Sequence, residues 1–150
     1  MPQSLSKLLV HLVFSTKDRI PCLSSDTRNE LYPYLATVFS NLNCHALRIG
    51  GVEDHVHALF LLGKTTSVSE VVEKIKVPTS KWLKVHYPQL GVFHWQNGYG
   101  AFSVGQTETE KVIAYIDGQS EHHRQVTFQE EYRNFLAKYQ LEYDERYVWD

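Results

Sequence analysis

The chain alternates short apolar runs with amphipathic stretches, and turn or capping residues mark most boundaries. Residues 8–14, Leu-Leu-Val-His-Leu-Val-Phe, predict a strand. Ser24-Ser25-Asp26 supplies N-cap oxygens, and Leu31, Leu35, Val38 and Phe39 recur at helical spacing. This predicts a helix over 26–41, with Pro33 in its early turns or at a kink. Residues 44–52 alternate as a second strand, interrupted at Gly50-Gly51 by a bulge or turn, and 55–62 form a third. The tight Glu53-Asp54 connection predicts an antiparallel hairpin. Thr66-Ser67 precedes a helix whose stripe, Val68, Val71, Val72, Ile75, Trp82 and Val85, breaks near Pro78. Strand-like segments at 93–96 and 101–104 flank Asn97-Gly98, a turn signal. Further helices are predicted from Thr107 and over about 127–139. The order β-α-β-β-α-β, then helices, is the split βαβ pattern. It predicts an α+β, ferredoxin-like antiparallel sheet with helices on one face, plus C-terminal helices that carry Tyr115. No repeat or linker divides the chain, so 1–150 reads as one domain.

At 150 residues and 43% apolar content, the chain can bury a substantial core. It has no run of about 18 apolar residues and no apolar leader, so no membrane partner is expected. Two cysteines, Cys22 and Cys44, do not make a disulfide scaffold, and a reducing, cytoplasmic setting is expected. The net charge of −2 argues against a non-specific DNA binder, yet the charge is uneven. Residues 1–90 carry ten basic and seven acidic side chains; residues 91–150 carry five and ten. Phosphate contacts are therefore expected in the first part, with Lys17, Arg19, Lys74, Lys76, Lys81 and Lys84 as candidates. The acidic residues of 130–150 read as solvated surface, or a tail packing on a dimer, with no catalytic part.

His55-Val56-His57 is the most informative tripeptide. Residues i and i+2 of a strand share a face about 6–7 Å apart, so two imidazoles can converge on one ion. Such a site needs a third ligand, and Gln119, His122, His123, His94, Asp54 and Glu53 are the candidates. Tyr115 and Gln119 lie four apart in a predicted helix and share a face. A phenol and a carboxamide there can present a nucleophile and a ligand to the same ion. Gly118 between them predicts that the helix ends or flexes. Trp82, Trp95, Tyr99 and Phe102 can stack on bases, although core packing is the commoner role.

Four segments follow one another in order: Val13-Phe14-Ser15-Thr16-Lys17-Asp18-Arg19, Gly51-Val52-Glu53-Asp54-His55-Val56-His57, Trp95-Gln96-Asn97-Gly98-Tyr99-Gly100-Ala101-Phe102-Ser103-Val104, and Tyr115-Ile116-Asp117-Gly118-Gln119 with His122-His123. Together they resemble the single-tyrosine HUH transposases of small bacterial insertion sequences, over about residues 8–139. The resemblance implies an enzyme that cuts and rejoins single-stranded DNA at hairpin-bearing ends through a 5′-phosphotyrosine. It implies Tyr115 as nucleophile, His55 and His57 as metal ligands, Gln119 as the third ligand, magnesium or manganese as the ion, and a homodimer. Whether Tyr115 serves its own or a partner's metal site stays open. Histidine-triad hydrolases need a third histidine where Leu59 stands, and two-histidine phosphoesterases need Thr or Ser there. A domesticated relative that processes repeated palindromes, or a non-catalytic nucleic-acid module on the same sheet, is the alternative. The Lys/Arg-Gly-Phe/Tyr pattern of RNA-recognition domains is absent.

Overall fold

A computed structural model describes residues 2–150. Strand β1 (Leu9–Ser15) crosses the centre of the molecule, and all its residues are buried. It is covered on both faces, which is why its sequence shows no polar alternation. Helix α1 (Ser25–Asn41) starts where the Ser24 hydroxyl accepts from the Thr27 N–H. Strands β2 (Ala46–Val52) and β3 (His55–Leu61) form the expected hairpin. Helix α2 (Val68–His86) is capped by Ser67, and β4 (Gly100–Val104) completes the sheet. Pro33 and Pro78 lie inside α1 and α2 without ending them. The strand order is β2-β3-β1-β4, antiparallel throughout, as a ferredoxin-like βαββαβ chain requires.

Strand alternation divides the core. Val10, Leu12 and Phe14 of β1 and Val56, Ala58 and Phe60 of β3 pack with α1 and α2. The alternate residues face the C-terminal helices α3 (Thr109–Asp117), α4 (Gln119–His122) and α5 (Phe128–Lys138). On that side Leu9 and Leu59 meet Ile116, while Val13 and Phe102 meet Phe128, Tyr132 and Leu136. No described helix is long and apolar enough to cross a membrane.

Three local expectations change. Residues 93–96 form no strand; only Trp95 bridges to Thr16. Asn97-Gly98 makes no hairpin, because the Lys76 ammonium donates to the carbonyls of Gln96 and Gly98 at 2.8 and 2.7 Å. Tertiary hydrogen bonds also tie this segment down: Trp95 Nε1 donates to Thr79 Oγ1 at 3.1 Å, and the Ser15 N–H to Gln96 Oε1 at 2.6 Å. Finally, Gly50 and Gly51 lie within β2 instead of interrupting it. Gly51 has φ +154°, where a Cβ would press on the His55 carbonyl. At Gly50 a Cβ would stand 2.8 Å from Ile116 Cγ2, so its absence lets α3 lie directly on the strand.

Candidate metal centre and tyrosine site

Strand register places the site. His55, His57 and His11 all face the C-terminal helices, and all three are buried. Asp54 Oδ1 lies 2.7 Å from His55 Nδ1. In the neutral ring the proton then sits on Nδ1, and the Nε2 lone pair points into the site. That lone pair meets Gln119 Oε1 at 2.9 Å and Glu131 Oε1 at 3.4 Å. Three acceptors facing one another form an arrangement that a cation relieves. His57 is oriented from behind by His11, whose Nε2 lies 2.8 Å from His57 Nδ1, and its own Nε2 donates to Glu131 Oε1 at 3.0 Å.

Glu131, only 2% exposed, is the centre of the network. Its carboxylate also accepts from the Tyr115 hydroxyl, from His123 Nε2 at 3.1 Å and from Gln119 Nε2 at 3.2 Å. His55, His57, His123 and Glu131 bring one ligand atom each within 4.8 Å of one another. Burial would raise the Glu131 carboxyl, but the hydrogen bonds from His123 and His57 overcome it and hold it well below the ordinary carboxylate range. Burial drives His57 down to about 4 and His11 down to about 3. Burial, and then the Glu131 charge, push the Tyr115 phenol above its ordinary range, so it is protonated at neutral pH.

The ligand candidates sort clearly. Gln119 and His123 reach the cluster, and Asp54 orients His55. His122 Nε2 lies 3.4 Å from the Tyr115 hydroxyl. Glu53 and His94 are exposed and contribute no ligand atom. Helix α3 ends at Asp117, and Gln119 opens α4 beyond Gly118 without leaving His55. Glu131 overturns the reading of 130–150 as solvated surface. Its signal was an acid on the apolar stripe Phe128, Tyr132, Phe135, Leu136 and Tyr139 of the last helix. His11 carried the weaker signal of a lone polar residue in an apolar strand.

The family described as IS200-like transposase matches residues 4–119. The chain belongs to the IS200-like transposase family. In fold it is similar to a transposase candidate from Deinococcus radiodurans R1, with TM-score 0.65 and 20% identity, over 79% of this chain and 98% of that one. It is likewise similar to a REP-associated tyrosine transposase bound to a REP hairpin, with TM-score 0.61 and 15% identity, over 84% of this chain and 74% of that one. No curated protein sequence matches it. The family match stops at Gln119, so Glu131 and His123 lie outside the matched segment.

Its basic candidates are dispersed. Lys17 and Arg19 lie in a short 3-10 turn after β1, and the Arg19 guanidinium stands 5.6 Å over the Trp149 ring. Lys74, Lys81 and Lys84 belong to α2, across the sheet from Tyr115, and Lys74 pairs with Glu70 at 2.8 Å. Lys76 turns inward; burial lowers its ammonium to about 8 while it holds the carbonyls of residues 96–98. Trp95 and Phe102 are core residues, and Trp82 stacks on Tyr34 at 4.9 Å. Lys76 also stands 5.9 Å over the Tyr99 ring.

Proposed function

We propose that this transposase cuts and rejoins single-stranded DNA through a covalent phosphotyrosine on Tyr115, using a divalent ion and recognising a DNA hairpin as a homodimer. The observation that carries the reading is a shared carboxylate: Glu131 touches both the Tyr115 hydroxyl and the His55–His57 pair. His55, His57 and Gln119 would hold the ion, with Glu131 and His123 able to complete the shell. When bound, the ion supplies Lewis acidity that neutralises charge on the scissile phosphate. The imidazoles alone would favour zinc or another late transition metal, and the carboxylate and carboxamide oxygens magnesium or manganese. The choice of magnesium or manganese follows the family resemblance.

The tyrosine chemistry balances within the site. Tyr115 Oη forms a bond to phosphorus as the P–O3′ bond breaks. The Tyr115 hydroxyl donates to Glu131 in the resting site. Its proton is lost as the new P–O bond forms, and the departing O3′ takes one up, so the exchange is proton-neutral overall. The phosphodiester is exchanged for a phosphotyrosine ester, so a second 3′ hydroxyl can reverse the step without ATP. The hairpin bound by the REP-associated relative and the basic first part of the chain support hairpin recognition. The outer edges of β2 and β4, which pair with no other strand of the sheet, support dimerisation.

The test is an adduct map. Wild-type protein with manganese and labelled single-stranded DNA that carries a hairpin from the sequence beside its gene should yield one DNA-linked peptide, at Tyr115. Tyr115→Phe should lose it while still taking up metal and hairpin. An adduct on Tyr99 or another tyrosine overturns the assignment, and no adduct under any divalent metal overturns the enzymatic reading.

A further inference from the structure

A cavity of about 460 Å³ opens between the end of β4, α3 and α5, within the range of about 300–1,000 Å³ usual for small-ligand sites. Tyr115, His122 and Glu131 line it, so the hydroxyl taken above as the nucleophile adjoins it. Two exposed lysines, Lys111 of α3 and Lys138 of α5, line it from its two helices. Phe135 and Tyr139 line its α5 side, and both rings stack on the buried Phe102, with centroids 5.1 and 4.8 Å away. A firm aromatic wall, two ammonium groups and a phosphate-seeking hydroxyl in one cavity suit a nucleotide better than an apolar ligand. Glu108, which also lines the cavity, pairs with Lys111 at 3.5 Å, and an exposed pair of that kind holds its cation weakly enough for a phosphate to compete.

We propose that this cavity is the subsite for the nucleotide whose 5′ phosphate becomes bonded to Tyr115. The proposal rests on the tyrosine reading. In-line attack puts the departing O3′ on the far side of phosphorus from Tyr115, so the leaving strand points away from this cavity. The nucleotide that stays attached through its 5′ oxygen is equatorial, so it leaves phosphorus to the side of the attack axis and stays next to Tyr115, where this cavity lies. Its base lies along Phe135 and Tyr139, and Asn134 on the same wall offers an amide to the base edge. Lys111 and Lys138 take the next phosphate of the strand. Stacking is tolerant of base identity, so the subsite holds the strand in place more than it reads sequence.

The probes are the four 2′-deoxynucleoside 3′,5′-bisphosphates, which carry both the phosphate placed at Tyr115 and the next one of the strand, titrated into manganese-free protein and followed by 1H–15N NMR. Amide shifts at Lys111, Phe135, Lys138 and Tyr139 are expected, with the matching nucleosides binding more weakly. Lys111→Ala with Lys138→Ala should weaken mononucleotide binding roughly tenfold, the loss of one charge-assisted contact or more. Asn134→Trp, on an exposed helix position, should fill the mouth and abolish it, with circular dichroism confirming the fold. Unchanged affinity in both variants, or shifts confined to another face, overturns the subsite. Adduct formation on long DNA without mononucleotide binding removes the subsite and leaves the tyrosine reading. Mononucleotide binding here without any adduct removes the tyrosine reading and overturns the subsite's assignment to the Tyr115-linked nucleotide.

Discussion

At Glu131 a carboxylate is withdrawn from water and set among three donors besides the Tyr115 hydroxyl: His57, His123 and Gln119. Truncating it to alanine would strand those donors in the interior, a change that costs about 3–5 kcal/mol when a buried charge pair is broken. Glu131→Gln is the milder variant, because it keeps the volume and one accepting oxygen while it removes the charge. Manganese affinity, measured by calorimetry, should fall about 10–100-fold, the range found when groups around a metal are altered. Undiminished affinity would show that Glu131 serves the tyrosine alone. The same cluster sets an acid limit for the metal-free protein. His57 and His11 sit at about 4 and about 3 when folded, against 6.5 ordinarily. Between those values the unfolded chain binds more protons, so stability is full above about pH 6.5 and is lost as the pH falls toward 4. Glu131, with its carboxyl depressed, adds a loss in the same direction below its ordinary value of 4.5. The unfolding temperature in chelator should therefore drop by several degrees between pH 7 and pH 4. His11→Phe should flatten that slope. A midpoint independent of pH would contradict the argument.

Among the elements, α3 is held in place by what β2 lacks. Gly50 leaves room for Ile116, and a Cβ there would stand 2.8 Å from its Cγ2 and 3.0 Å from its carbonyl oxygen. Gly50→Ala must lift the helix that carries Tyr115, at a cost of about 1–3 kcal/mol for overpacking. The histidines belong to β3 and stay where they are. Metal uptake should thus survive while adduct formation falls, and equal loss of both would mean that the strand itself had moved. The pattern of what the sequence revealed follows from range. His55 and His57 are legible because strand alternation is local, while Tyr115 and Gln119, which Gly118 divides between α3 and α4, stand out through the motif they share with the family rather than through helical spacing alone. Glu131 is 74 positions from His57, and only the packing of α5 on the sheet joins them. Residues 93–96 read as a strand from their aromatic content, yet Thr79 and Lys76, both on α2, claim the hydrogen-bonding groups that would have shaped a hairpin. Composition alone carries no trace of those partners.

On the scale of the whole molecule, the sheet separates two surfaces. The tyrosine site lies under α3–α5, while Lys81 and Lys84 stand on α2 across the core. Lys81→Glu with Lys84→Glu should therefore weaken hairpin binding and reduce its salt dependence without touching the chemistry at Tyr115. A titration that gives the same salt slope for this variant and wild type would move the hairpin elsewhere. The site also bears on assembly. Light scattering should give twice 17.4 kDa, and a monomer at micromolar concentration would count against the dimer. Within one chain Tyr115 already meets Glu131 and His122, and Gln119 already meets His55. Each protomer of a dimer would then hold a complete site. Mixing Tyr115→Phe with His57→Ala protein tests this directly, since each variant keeps what the other has lost. The mixture should form no adduct, because neither chain has both the nucleophile and the metal ligand. Recovered adduct on the His57→Ala chain would mean that α3 crosses to the partner during catalysis, and that the arrangement seen here is its resting position.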